Sequence, residues 1–266
     1  MPFVQLEQSP HAQGARTVDI HYRDLGCGRP LVFLHGGWGY GVYGIQRQID
    51  ALQGQVRFVI PDRSGHGRST RFAGGLPTDF HRRAAEETLL VLDALGIERT
   101  LFWGHSDGAV IAAQVGLMAP ERCQHLILEA FHLYRKKPNS HGIFFQRFAS
   151  HPEQVSEKRQ SLLAEDHGAE HWKNVVQRNC RVWLDLDGET MRPDEDLYNR
   201  CLGELRVPVT FVHGRHDPRT EPGEIEMAHQ AVRSAGLRFI EHGRHSPHSE
   251  SAASPDFTEI LRGLLG

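Results

Sequence analysis

The stretch Leu101-Phe102-Trp103-Gly104-His105-Ser106-Asp107-Gly108-Ala109-Val110-Ile111 decides how the chain is read. It starts as a short apolar run of the buried-strand kind and passes, through two glycines, into a small-residue helix. Ser106 stands at the turn. A serine hydroxyl becomes a nucleophile only when a base takes its proton and donors stabilise the oxyanion that follows. Gly104 and Gly108 supply the setting, because they let strand and helix pass closely around a strained serine whose side chain projects at the sheet's edge. The residue after the serine opens the helix, so the N–H of Asp107 is an unpaired donor at the positive helix end. The same five residues also describe a strand–helix turn without chemistry, and the rest of the chain has to separate the two readings.

Upstream, Leu31–Leu34 is a wholly apolar strand that runs directly into His35-Gly36-Gly37-Trp38-Gly39. Glycines at the carboxyl end of a buried strand let backbone N–H groups point into the crevice where open α/β sheets bind ligands. Phe3–Glu7 and Thr17–Tyr22 alternate apolar and polar residues, which predicts an antiparallel hairpin at one sheet edge, with a turn region over Asp24–Pro30. A helix over Tyr43–Leu52, a strand over Val56–Ile60 and a helix over Thr78–Leu95, capped by Thr78 or Asp79, follow. Downstream, Leu126–Ala130 is another buried strand. From His132 to Leu205 the strand–helix rhythm stops, and Tyr134, Phe144, Phe145, Phe148, Trp172, Trp183 and Tyr198 appear among many charges. Val207–Val212 resumes the sheet and ends in His213-Gly214-Arg215-His216-Asp217-Pro218. Leu237–Glu241 is the last strand, before His242-Gly243-Arg244-His245-Ser246-Pro247-His248-Ser249-Glu250 and a helix over Pro255–Leu265.

The elbow at Ser106, the glycine loop after Leu34 and the Gly-x-His turn at His245 together resemble the α/β-hydrolase superfamily. Ser106, Asp217 and His245 follow three separate strands in the chain order expected of that fold. The resemblance implies an α/β class with a mostly parallel central sheet flanked by helices. It places the core over 1–131 and 206–266, with a helical cap over 132–205 inserted before the strand that carries the acid. It makes Ser106 the nucleophile, His245 the base and Asp217 the acid, and makes the N–H of Gly37, or that of Trp38, the second oxyanion donor beside Asp107. His248 is a rival for the base, and Glu129 for the acid, since some members take the acid from that strand. Asp62 to Ser69 matches the family's Asp-x-x-Gly-x-Gly-x-Ser turn, with Ser64 where an Arg is usual. That segment reads as structural, Asp62 and Arg68 meeting in turn hydrogen bonds or an ion pair.

The Ser-Asp-Gly elbow is similar to that of the valacyclovir-hydrolase-like branch, where the acid faces the pocket and recognises a substrate amino group. Two roles for the Asp107 carboxylate are therefore open: favouring the helix N-terminus, worth about 0.3–1 kcal/mol, or binding a positively charged ester. Trp38 either lines the pocket or closes the core. The expected activity is that of a carboxylesterase-like serine hydrolase, cleaving small carboxylic esters through an acyl-enzyme on Ser106. A lactonase or a carbon–carbon hydrolase on the same triad is the rival enzyme, and a small-molecule receptor on an inactive hydrolase scaffold is the non-enzymatic alternative. Dehalogenases and epoxide hydrolases of this fold need an acid nucleophile, so Ser106 argues against them.

Composition narrows the partners. With 30 Lys and Arg against 33 Asp and Glu, a net charge of −3 gives no reason to invoke nucleic acid or an anionic membrane. No apolar run approaches the roughly 18 residues of a membrane helix, and Met1–Gly14 lacks a signal pattern, so the chain reads as cytoplasmic, a monomer or homodimer. Cys27, Cys123, Cys180 and Cys201 are scattered, which predicts reduced thiols. His213 and His216, like His242, His245 and His248, are spaced like metal ligands. The intervening Gly and Pro break any helix, however, and no His-Glu-x-x-His is present, so neither a metal nor another cofactor is expected.

Overall fold

A computed structural model describes residues 2–12, 17–189 and 195–265 of the chain. Gly14, within the N-terminal stretch read above, and residues 190–194 of the inserted segment lie outside the described residues. Eight strands form one sheet: β1 Phe3–Leu6, β2 Val18–Gly26, β3 Arg29–Leu34, β4 Val56–Pro61, β5 Thr100–His105, β6 Cys123–Glu129, β7 Val209–Gly214 and β8 Gly236–Ile240. Their order is β1-β2-β4-β3-β5-β6-β7-β8; β2 runs antiparallel to β1 and β4, and every pairing from β4 to β8 is parallel. This is the α/β-hydrolase fold, with helices on both faces of a mostly parallel sheet.

The apolar runs of the central strands follow from burial on two sides. Along β3, Val32 and Leu34 enter the cluster that holds Ala84, Val110 and Ile111, whereas Leu31 and Phe33 enter the one that holds Ile49, Phe257 and Leu261. Side chains alternate across a strand, so two covered faces demand an unbroken apolar sequence. Helices α2, Phe80–Ala94, and α3, Asp107–Met118, cover the first face; α1, Gln46–Leu52, and the helix Ser254–Leu265 cover the second.

Two local expectations are corrected. The region read as a turn over Asp24–Pro30 belongs mostly to the sheet: β2 continues until Gly26 pairs with Arg57, and β3 starts at Arg29. Gly26 and Gly28 carry φ of 85° and 102°, which compresses the turn into Cys27-Gly28 and which side chains would resist. Asp79 occupies the N-cap position of α2 but does not cap it, because its carboxylate pairs with Arg82 and Arg83 instead. In the Asp62–Ser69 turn the expected hydrogen bond is present, Arg68 giving Asp62 its backbone N–H; Arg23 adds an ion pair at 2.7 Å, and the other Asp62 oxygen meets His21 at 2.8 Å. Ser64 gives both its N–H and its hydroxyl to the buried Glu87.

Between β6 and β7 the chain leaves the sheet. It forms a π-helical turn over His141–Gln146 and helices over Arg147–Ser150, Glu157–His167 and Trp172–Glu189. Trp38, Phe145, Trp172, Val176, Trp183 and Leu186 pack in a cluster that joins this segment to the loops at the carboxyl ends of the strands. At its entrance, Glu224 accepts the N–H groups of Leu133 and Tyr134 and the Lys137 ammonium, tying the insertion to the helix after β7.

Candidate active site

Ser106 has φ 55° and ψ −120°, a conformation that costs a non-glycine residue free energy and that the surrounding packing must hold. A methyl on Gly108 would collide with the Leu34 carbonyl, and one on Gly104 with the backbone of Gly108, so glycine is required where helix and strand meet. The hydroxyl lies 3.1 Å from His245 Nε2, and His245 Nδ1 lies 2.9 Å from both Asp217 oxygens. The three side chains come from the turns after β5, β7 and β8. Asp217 also accepts the Arg219 N–H and the Thr220 hydroxyl.

Burial alone would raise the Asp217 carboxyl, but the His245 imidazole and the Arg219 amide outweigh it and hold the group well below the usual carboxylate range. For His245, burial lowers the pKa, Asp217 offsets part of that, and the Arg219 charge lowers it further; the net shift is downward. The imidazole is therefore neutral at pH 7 and able to take a proton.

The loop after β3 is braced from below. Arg63, fully buried, donates to the carbonyls of His35 at 2.7 Å and Gly36 at 3.1 Å; His66 Nε2 lies 3.1 Å from the Gly37 carbonyl and His167 Nε2 3.0 Å from that of Trp38. In a trans peptide the N–H points opposite the carbonyl. Fixing the Gly36 and Gly37 carbonyls on that side therefore turns the N–H groups of Gly37 and Trp38 the other way. Neither of these, nor the N–H of Asp107, meets an acceptor among the described residues. A cavity of about 20 Å³ opens between them and Ser106, lined also by Trp38, His132, Asn179 and Trp183. Trp38 both lines it and stacks on Phe144, ring centroids 5.1 Å apart.

Other candidates lie elsewhere. The Asp107 carboxylate accepts from Asn179 Nδ2 at 2.6 Å, Trp183 Nε1 at 3.0 Å and His81 Nε2 at 3.2 Å, so the acid matched to a substrate amine already holds three protein donors. Burial would raise this carboxyl, but His81, Arg63 and Asn179 together hold it below its ordinary value. The side chains of His248 and Glu129 pair with each other instead of meeting the Ser106 hydroxyl: His248 Nδ1 is 2.8 Å from the carboxylate, and its Nε2 is 2.9 Å from the Tyr43 carbonyl. All four cysteines are unpaired.

Sequence reasoning missed four residues. His132 Nε2 lies 3.4 Å from the Ser106 hydroxyl, and no local motif marks it, because it is simply the first residue of the insertion. Asn179 rests against Gly37 from a helix 142 residues downstream, a contact that only folding makes. Arg63 sits inside the turn that the sequence reads as structural. Arg219, two residues after Asp217, spreads its guanidinium 3.7 Å above the Phe144 ring.

Comparison with known proteins agrees with this architecture. The family model described as alpha/beta hydrolase fold matches residues 29–252. The chain belongs to the α/β-hydrolase superfamily and is a hydrolase of that superfamily. Among its relatives, the serine hydrolase BPHL of Homo sapiens is 24% identical over 251 residues, covering 93% of this chain and 83% of that protein. A putative carbamate hydrolase RutD of Pseudomonas savastanoi pv. phaseolicola is 34% identical over 241 residues, covering 82% and 87%. The enol-lactonase from Burkholderia xenovorans LB400 superposes with a TM-score of 0.71 over 99% of both chains at 18% identity, a likeness of fold. Among the described residues, no helix is long and apolar enough to cross a membrane.

Proposed function

We propose that the protein cleaves small carboxylic esters by acyl transfer to Ser106, with 132–205 acting as a helical cap over the reaction. The observation that carries this reading is the relay in which Asp217 faces His245 Nδ1 while His245 Nε2 faces the Ser106 hydroxyl. His245 removes the hydroxyl proton as Oγ bonds to the carbonyl carbon, and the carbonyl electrons move onto oxygen. The N–H groups of Asp107 and Gly37 stabilise that oxyanion, an interaction worth about 3–4 kcal/mol per donor in related chemistry. When the oxyanion collapses, the bond to the leaving oxygen breaks and His245 delivers its proton there. Water then gives a proton to His245 and attacks the acyl carbon; the bond to Oγ breaks, and Ser106 recovers its hydrogen. Asp217 keeps the imidazole in the right tautomer and stabilises its cation.

In this reading Asp107 holds the cap to the core through Asn179 and Trp183 and does not recognise a substrate amine. The same relay opens lactone rings, and the enol-lactonase among the structural neighbours makes lactones part of the test. A fluorophosphonate probe is expected to label the protein once, at Ser106, and not to label Ser106→Ala. Absence of labelling in the intact protein would favour a receptor on the same scaffold. With labelling established, p-nitrophenyl esters of rising acyl length, tested beside simple lactones, rank the substrates; turnover of lactones alone would replace the ester reading.

A further inference from the structure

We infer that the substrate carries an anionic group of the carboxylate class, held by Arg219 and the cations of the outer cleft while the scissile carbonyl sits inside at Ser106. The inference deepens the ester-hydrolase reading and rests on it. A cleft of about 800 Å³ lies between the inserted segment and the core, and His245 forms part of its wall. Arg147, Lys158, Arg159, Arg219 and Arg244 line it, against one acidic residue, Glu250. Composition does not produce this, since acidic residues outnumber basic ones in the chain as a whole, 33 to 30.

These cations also lack the carboxylate partner that several other arginines of the protein hold. Arg57, Arg82, Arg83 and Arg122 each meet a carboxylate. None of the five in the cleft does so among the described residues. Glu250 offsets only one of the five charges, and its oxygens accept the backbone N–H groups of Arg244 at 2.7 Å and Ser246 at 3.0 Å. Like charges gathered around a concave surface raise its potential and draw in the opposite charge.

Arg219 occupies the seam, lining both the outer cleft and the inner cavity. Its guanidinium lies 3.7 Å over Phe144 and 5.8 Å from Trp38, with Tyr43 Oη at 3.4 Å. A planar cation backed by a ring is pre-organised to grip a carboxylate with two parallel hydrogen bonds. The inner cavity of about 20 Å³ has room for little more than one water. It admits the carbonyl oxygen and a short group, so the remainder of the substrate has to lie outside, among the cations. A positively charged ester would meet five like charges there, and the nearby Asp107 carboxylate is already taken by three donors.

The test uses matched pairs that differ only in charge: p-nitrophenyl hydrogen glutarate against its methyl ester, and 4-acetoxybenzoate against its methyl ester. The first pair places the charge on the acyl side, the second on the leaving side. The anionic member of at least one pair is expected to have about tenfold or more the kcat/KM of its neutral partner at low ionic strength, the size of a charge-assisted hydrogen bond. That ratio should fall toward one in Arg219→Gln and, with the unaltered protein, as salt is raised to about 0.5 M. The salt series carries the test even if Arg219→Gln folds poorly. Neutral members turned over equally well in both pairs, or a ratio insensitive to salt and to Arg219→Gln, would overturn the inference. Fluorophosphonate labelling of Ser106 without any charge preference would sink this inference alone, whereas no labelling would sink the hydrolase reading beneath it.

Discussion

Two histidine–carboxylate pairs lie side by side in this molecule, His245 with Asp217 and His248 with Glu129, the two imidazoles three positions apart along one turn. In both, Nδ1 approaches the carboxylate at 2.8–2.9 Å and the pair is almost wholly buried. They differ at the other ring nitrogen. Nε2 of His245 faces a serine hydroxyl, which can give up a proton and swing; Nε2 of His248 faces the Tyr43 carbonyl, a fixed backbone acceptor. Glu129 is further committed to the indole of Trp103 and the amide of His248, and Gln48 binds the His248 carbonyl. The first pair has a nitrogen available for chemistry, while the second ties β5 and β6 to the segment after β8. His105 stands between them, its ring 5.3 Å from that of His245 and 4.9 Å from that of His248.

The widest gap expected between the pairs is in turnover. His245→Ala or Asp217→Asn should cost about 10⁴ in kcat on p-nitrophenyl acetate, by loss of the base or of its tautomer. His248→Ala should do the reverse, lowering stability by about 3 kcal/mol through a buried carboxylate left without its imidazole partner while kcat of the folded protein stays within about tenfold. Steady-state rates and urea unfolding of the same preparations decide it. A His248→Ala protein of normal stability and lost activity would erase the distinction.

pH sharpens the comparison at smaller amplitude. Because the His245 pKa is lowered, kcat/KM should rise with pH along a single acid limb whose midpoint lies below 6.5, then stay flat through pH 7–8. Stability should move in the same direction. His11, His66, His105 and His132 are all held well below their ordinary values, chiefly by burial, so below about pH 6.5 the unfolded chain binds protons that the folded one refuses. Their contribution is complete above that pH and is lost on acidification, by about 1.4 kcal/mol per pH unit for each such group. The depressed Asp217 acts only lower, once the pH approaches about 3.9, where an unfolded Asp takes its proton. Urea midpoints at pH 7 and pH 5 measure the histidine part; equal midpoints would show that these imidazoles are not buried neutral.

The contrast between the pairs also shows what could be read before folding. The turns bearing Asp217 and His245 could be read only by their resemblance to the superfamily's motifs, whereas the elbow and the glycine loop follow local rules, since a buried strand must end in glycine-rich backbone where a side chain is to project into a crevice. The sheet could be read for the same reason, as in the two-faced apolar run of β3. That His248 is the tied imidazole could not be read, because the difference lies in the carbonyl of Tyr43, 205 positions away. Asn179, His81 and Trp183 around Asp107 were equally hidden, since each contact closes a loop that no period in the sequence records. The positive outer cleft drew on residues from the insertion and from two separate core turns, and a net charge of −3 concealed it.

His132 supplies the third term of the comparison and the smallest expected effect. Its Nε2 reaches within 3.4 Å of the same hydroxyl, its ring stacks on His245 at 5.7 Å, and its Nδ1 is buried without a partner among the described residues. It thus has a free nitrogen near the Ser106 hydroxyl but no carboxylate at hydrogen-bond distance to stabilise a cation, and burial together with the Lys137 charge disfavours one. If a base needs both an available nitrogen and an anionic partner, His132 cannot replace His245. His132→Phe, which keeps the edge-on contact with Trp183, should then reduce kcat by about tenfold or less and leave the acid limb where it was. Added to His245→Ala, it should cost nothing further in the chemical step. A loss approaching that of His245→Ala, with a shifted limb, would instead mean that a free nitrogen beside the hydroxyl suffices, and that the carboxylates position the imidazoles without deciding which of them takes the proton.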